Sequence, residues 1–123
     1  MKERSLGIVL LAHGSRDPRW RAPVEAVAQR VTALDASVRV ACAYLELSQP
    51  DLRTATAGLV AEGVGVVRVV PLFLGMGKHL REDLPRLLDE LRAMHPEVRV
   101  ESATAAGEEP EVVDLLARLA VKS

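Results

Sequence analysis

The chain is short of aromatic rings. Trp20, Tyr44 and Phe73 are the only three among 123 residues, too few for the stacking platform on which proteins hold single-stranded nucleic acid. There is one cysteine, Cys42, so no internal disulfide forms and a reducing compartment, the cytoplasm, is expected. The net charge of −1 lacks the basic excess of a nucleic-acid or membrane-surface binder, and neither partner is expected. No apolar stretch reaches the roughly 18 residues of a membrane span. The opening "MKERSLGIVLLAHGS" has an apolar segment of about seven residues, carries Glu3 ahead of it, and runs into His-Gly-Ser-Arg instead of a small-residue cleavage site. It reads as a first core strand, not a signal peptide. Nucleotide fingerprints are also missing: no GxGxxG comes after that strand, and GxxxxGK[ST] does not occur.

What is present is enough apolar matter, 49% of the residues, to build one core in a chain of single-domain length, residues 1–123. Two periods alternate along it. "LGIVLLA" (6–12) is a continuous apolar run, the pattern of a parallel strand buried on both faces. Asp17-Pro18 caps and opens a helix along which Val24, Val27, Ala28, Val31 and Leu34 repeat at helical spacing. "VRVACAYLE" (38–46) is a second strand, with Cys42 as a small core residue, and Ser48–Asp51 opens a second helix that ends at Gly63. "VVRVVPLFL" (66–74) is a third strand. Pro85 predicts a third helix capped near Asp83, with 75–82 irregular ahead of it. "EVRVESA" (97–103) is a fourth strand, and Pro110 opens a last helix with Val112, Val113, Leu115, Leu116 and Leu119 on one side. No linker, repeat or low-complexity tract interrupts the alternation. The expected fold is α/β: a four-stranded parallel sheet flanked by helices, flavodoxin-like, in strand order 2-1-3-4.

In such a sheet ligands bind beyond the carboxyl ends of the strands, where the strand order reverses. Here that crevice lies between strands 1 and 3. After strand 1 come His13, Gly14, Ser15 and Arg16; after strand 3 come Gly75, Gly77, Lys78 and His79; after strand 2 come Glu46 and Ser48. Two imidazoles and a carboxylate make an open, partial shell for a first-row divalent metal. Gly14, Gly75 and Gly77 carry no Cβ and let a flat ligand approach the backbone. Arg16, Arg19 and Arg21 come after strand 1, and Lys78, Arg81 and Arg86 after strand 3. Cations at helix amino termini oppose the helix dipole, and an anionic partner offsets that cost. His95 falls at the opposite end of the sheet, as a helix C-terminal residue and not a ligand. Trp20 reads as a partly buried helix residue. The site therefore calls for a divalent metal and an anionic partner.

"LLAHGSRDP" (10–18), "AYLELSQPDL" (43–52) and "VPLFLGMGKHLREDLP" (70–85) resemble the three signature stretches of the short-form CbiX-type sirohydrochlorin chelatases, class II chelatases of tetrapyrrole biosynthesis. The resemblance covers roughly residues 6–90, and the third stretch is its most specific part. It implies a lyase that inserts Co²⁺, Fe²⁺ or Ni²⁺ into sirohydrochlorin without ATP or an organic cofactor, on the way to cobalamin or sirohaem. It implies His13 and His79 as the catalytic, metal-handling pair and Glu46 as a third metal-handling group. Ser15, Arg16, Arg19, Gly75, Gly77 and Lys78 are then expected at the tetrapyrrole. Larger chelatases of this group have two similar lobes around the macrocycle, whereas this chain has residues for one, so the resemblance also implies a homodimer.

Three other functions compete. A carrier of metal or tetrapyrrole would use the same ligands without turnover. A histidine phosphatase places Arg-His-Gly after strand 1, and Ala12 stands here before His13. A flavodoxin-like signalling module needs an acidic phosphoacceptor cluster after strand 1, where this chain has a histidine and arginines.

Overall fold

The structure, a computed structural model, describes residues 5–122. Strands β1 (Leu6–Ala12), β2 (Arg39–Tyr44), β3 (Val66–Pro71) and β4 (Arg99–Ser102) alternate with helices α1 (Ala22–Leu34), α2 (Leu52–Ala61), α3 (Lys78–Met94) and α4 (Pro110–Val121). All pairings are parallel and the sheet order is β2-β1-β3-β4, as expected. The register sets Leu10 between Cys42 and Val70, so β1 and its two neighbours end nearly level. β2 is shorter than its apolar run because the backbone leaves the sheet at Leu45, whose N–H turns to the Ala12 and His13 carbonyls. β3 stops at Pro71, the residue with no N–H to give a ladder.

The two faces of the sheet are unequally covered. On one side α2 and α3 lay Leu52, Leu59, Leu84, Leu88 and Leu91 over Val9, Leu11, Val67 and Val69, all buried. On the other side only Leu10, Ala12, Val24 and Tyr44 form a buried cluster, with Ile8, Val40 and Val70 half-covered around it. β3 shows the asymmetry directly. Val67, Val69 and Pro71 are buried, while Val66, Arg68 and Val70, which point the other way, are not.

Two helices depart from the sequence reading. α3 begins at Lys78, not near Asp83, and Pro85 lies inside it. The apolar stripe starts one turn earlier than expected, with Leu80 and then Leu84, Leu88 and Leu91 packed on the core. That burial outweighs the one rung lost at the proline, where the Arg81 carbonyl has no N–H four residues on. α4 spans the expected residues, but its stripe is not covered: it buries none of its residues. The fourth strand is also shorter than 97–103.

Candidate functional site

The site is assembled from the loops that leave the carboxyl edge of β1, β2 and β3. After β1 the chain passes through His13 into Gly14, whose φ of +109° is open to glycine and costly for other residues. A Cβ there would lie 1.7 Å from the Glu46 carbonyl oxygen. The β2–α2 loop therefore packs directly on the β1–α1 loop. Its Leu45 and Glu46 N–H groups both donate to the His13 carbonyl, at 3.2 and 3.1 Å. The Ser48 hydroxyl donates to the Ser15 carbonyl at 2.7 Å and accepts from the Ser15 N–H at 3.2 Å. Between them Leu47 takes a φ of +64°, bridged by a Ser48 N–H to Glu46 carbonyl bond of 2.8 Å. This is a strained γ-turn, of the kind that functional loops retain.

The result is a contact between two side chains far apart in sequence. His13 Nε2 lies 3.1 Å from Glu46 Oε1, with 63% and 57% of the two side chains exposed. An imidazole nitrogen and a carboxylate oxygen this close, both open to solvent, are two ligands that one small cation takes together. The imidazole offers Nε2 as a donor atom when its proton sits on Nδ1.

His79 is the second residue of α3 and is exposed. It does not complete the shell: among the described residues no three His, Cys, Asp or Glu side chains stand together as a metal cluster. The structure thus joins His13 to Glu46 and leaves His79 on the neighbouring element. Gly75 and Gly77 precede it with open space where their side chains would be, so the backbone there is bare. Lys78, His79 and Arg81 all occupy the first turn of α3, where the helix dipole disfavours cations.

The arginines sort themselves by pairing. Arg19 is almost fully exposed and turns to Asp17 at 3.4 Å; Asp17 is itself the cap of the 18–21 turn. Arg86 pairs with Asp83. Arg16, Arg21 and Arg81 make no ion pair among the described residues. Arg16 and Arg21 line an open depression of about 560 Å³ beside the His13–Glu46 contact, together with Ser15, Pro18, Leu47, Ser48 and Gln49. Leu47, Gln49 and Arg21 did not stand out as site residues in the sequence. Arg21 lay within a visible arginine cluster, and only the turn geometry separates it from Arg19.

The other singled-out residues are structural. Burial pushes the Cys42 thiol above its ordinary range, as befits a core side chain and not a reactive thiolate. Trp20 is half-buried, its ring 6.1 Å from that of Tyr44. His95 caps the C-terminus of α3 through its N–H to the Leu91 carbonyl.

The CbiX family profile matches residues 7–123. A sirohydrochlorin cobaltochelatase of Saccharolobus solfataricus is 32% identical over 119 residues, 92% of this chain and 91% of that protein. The sirohydrochlorin cobaltochelatase of Methanosarcina acetivorans is 35% identical over 83 residues, which span 68% of this chain and 64% of that protein. Among solved structures, a CbiX protein from Marinobacter aquaeolei VT8 superposes with a TM-score of 0.79 at 38% identity, over 95% of this chain and 94% of that one. The sirohydrochlorin chelatase SirB from Bacillus subtilis subspecies spizizenii, solved in complex with cobalt, gives a TM-score of 0.79 at 25% identity. That match covers 94% of this chain but 50% of the SirB chain, so this chain spans half the length of that chelatase. A family match over residues 7–123, on this sheet order and these loop contacts, leads to one conclusion: the chain belongs to the CbiX family.

Proposed function

We propose that this protein is an ATP-independent chelatase that inserts a divalent metal ion, with Co²⁺ first and Fe²⁺ or Ni²⁺ as alternatives, into sirohydrochlorin. The observation that carries the proposal is the His13–Glu46 contact of 3.1 Å at the carboxyl edge of the sheet in a CbiX chain. The ion is substrate, not resident cofactor. His13 and Glu46 take it first, in a shell left open for exchange. The macrocycle lays its peripheral carboxylates against Arg16, Arg21 and Lys78, with Ser15 at the rim and the bare backbone of Gly75 and Gly77 beneath the ring.

Insertion exchanges one M²⁺ for two pyrrole N–H protons, so charge balances at the ring. Imidazole suits the proton acceptor near neutral pH, and His79 and His13 are the two available. The ion then passes from protein ligands to ring nitrogens. Weak holding serves this chemistry, because a closed, tight shell would retain the ion.

The whole chain then acts as one catalytic domain. Two copies pair as a homodimer around the macrocycle, a reading supported by the resemblance to the short-form chelatases. A cytoplasmic location belongs to the same reading, supported by the free thiol of Cys42, which suits a reducing compartment. The test is anaerobic absorbance of sirohydrochlorin with each metal, protein present or absent, with His13→Ala and His79→Ala alongside. Multiple turnovers that both variants lose support the chelatase. A spectral change that stops at protein stoichiometry makes the protein a carrier, and no acceleration by folded protein rejects the proposal.

A further inference from the structure

A second pair of loops meets at the carboxyl edge of the sheet. After β4 the chain keeps one more ladder bond, from the Ala103 N–H to the Val69 carbonyl at 2.8 Å. It then buries Ala105 and makes one tight turn, Ala106–Glu108, before α4 begins. That turn lies against the loop that leads from β3 to His79. The Gly107 N–H donates to the Phe73 carbonyl at 2.8 Å. A Cβ on Gly107 would lie 2.1 Å from the Leu74 carbonyl oxygen, 2.2 Å from its Cα and 2.4 Å from its carbonyl carbon. The two backbones touch, and only a residue without a side chain fits between them. Gly14 stands in the same relation to Glu46. One glycine thus locks the β1–α1 and β2–α2 loops together, and another locks the β3–α3 loop to the β4–α4 turn.

The β3–α3 loop has little else to fix its backbone at that point. The Leu74 side chain is exposed. Gly75 and Gly77 have no atom within 4 Å of where a side chain would stand. Phe73 and Met76 pack on the core through their side chains, so the backbone between them is placed from the opposite side. Past Phe73, the next backbone bond among the described residues runs from the Arg81 N–H to the Gly77 carbonyl at 3.0 Å and already belongs to α3.

We propose that Gly107 is a positioning residue for metal insertion: its contact sets the height of Leu74, and through it the bare Gly75–Gly77 backbone under the ring and the approach of His79. This role rests on the chelatase reading and adds to it a residue outside the signature stretches. A methyl group at 107 must push the Leu74 backbone back by about 1 Å to regain even a 3.0 Å contact. A displacement of that size in the seat of a rigid ligand costs up to about 100-fold in rate. The His13–Glu46 contact is built by the other pair of loops, so the loss falls on the ring and not on the ion.

Steady-state kinetics on the full chain test this, with sirohydrochlorin and Co²⁺ each varied in turn, for the parent, Gly107→Ala and Gly58→Ala. Gly58 is exposed on α2 with open space for a methyl group, and its variant is the control. Circular dichroism checks each fold. In Gly107→Ala the KM for sirohydrochlorin is expected to rise and kcat to fall, together lowering kcat/KM about 10- to 100-fold. The Co²⁺ concentration at half-maximal rate is expected to stay at the parent value, and Gly58→Ala to keep every constant. A protein that is merely destabilised loses active molecules, which lowers kcat alone. That outcome overturns the proposal, and so do parent constants in folded Gly107→Ala; either leaves the chelatase reading intact. No turnover by the folded parent chain overturns both. Should Gly107→Ala not fold, Ala105→Gly decides, because it adds no atom and only removes one buried methyl group and loosens the turn. It must raise the KM for sirohydrochlorin and leave the Co²⁺ dependence in place, and parent constants there reject the proposal.

Discussion

The His13 imidazole and the Glu46 carboxylate meet at 3.1 Å, although one ends β1 and the other comes after β2. Both side chains are more than half exposed, so removing either leaves the core untouched. His13→Ala is expected to lower metal insertion by about 100-fold or more, the usual scale for a lost acid–base group, with an unchanged circular dichroism spectrum. Glu46→Gln keeps an oxygen in place but removes the charge, and its loss is expected to appear mainly as a higher metal concentration at half-maximal rate. Equal activity of His13→Ala and the parent chain would remove this pair from the mechanism.

The contact depends on Gly14. A methyl group there would sit 1.7 Å from the Glu46 carbonyl, in a backbone conformation at φ +109° that alanine disfavours. Gly14→Ala is expected to cost about 1–3 kcal/mol in urea unfolding and to lose activity as fully as His13→Ala, because the two loops can no longer close on each other. The fold should survive, since the core lies on the far side of these loops. A variant with full activity would show that the loop contact is not needed.

The arginines divide by their partners. Arg16 and Arg21 have no ion-pair partner among the described residues and line the depression, whereas Arg19 turns outward to Asp17. Steady-state kinetics should show a raised KM for sirohydrochlorin in Arg16→Ala and Arg21→Ala, by about 10-fold each if one charged hydrogen bond is lost, with kcat nearly unchanged. Arg19→Ala should resemble the parent chain. The reverse ranking would relocate the carboxylate contacts.

Stability in acid has a local source. Asp51 accepts from the Thr54 N–H at 2.8 Å as the cap of α2, and that bond holds its carboxyl below the ordinary range. A lowered folded value means the contribution is full above the unfolded carboxylate value of about 3.9 and fades as pH falls through the folded one. Asp51→Ala is expected to cost about 1 kcal/mol at pH 7, measured by urea unfolding. Asp51→Asn should keep most of the cap and flatten this part of the acid dependence. No difference between parent and Asp51→Ala at pH 7 would mean that water caps the helix equally well.

The sheet order and the placing of His13, Glu46 and His79 at one edge were legible because both come from strand periodicity and short crossovers. A continuous apolar run as short as residues 6–12, ending at His-Gly-Ser, reads as a buried strand by its length and its flanking glycine, and the next residues of the chain then lie at its carboxyl end. The start of α3 was not legible, because Pro85 is a strong local signal and the packing of Leu80 that overrides it is tertiary. The choice between Arg19 and Arg21 was likewise hidden. Two residues apart on a tight turn, they point to different places, and only the Asp17 cap fixes which faces the depression. For α4 the apolar stripe was readable, but a stripe does not say whether its own sheet or another molecule covers it.

Pro85 divides α3 into two parts with different duties. The turns after it carry Leu88 and Leu91 into the core, while the turns before it carry Lys78 and His79 to the crevice on one side and Leu80 and Leu84 to the core on the other. The missing rung at Arg81 is where this helix bends at least cost. Because Leu84, the residue just before the proline, is buried and Leu80 packs on the core a turn earlier, His79 is presented to the crevice from a helix turn that is held down rather than from a free loop.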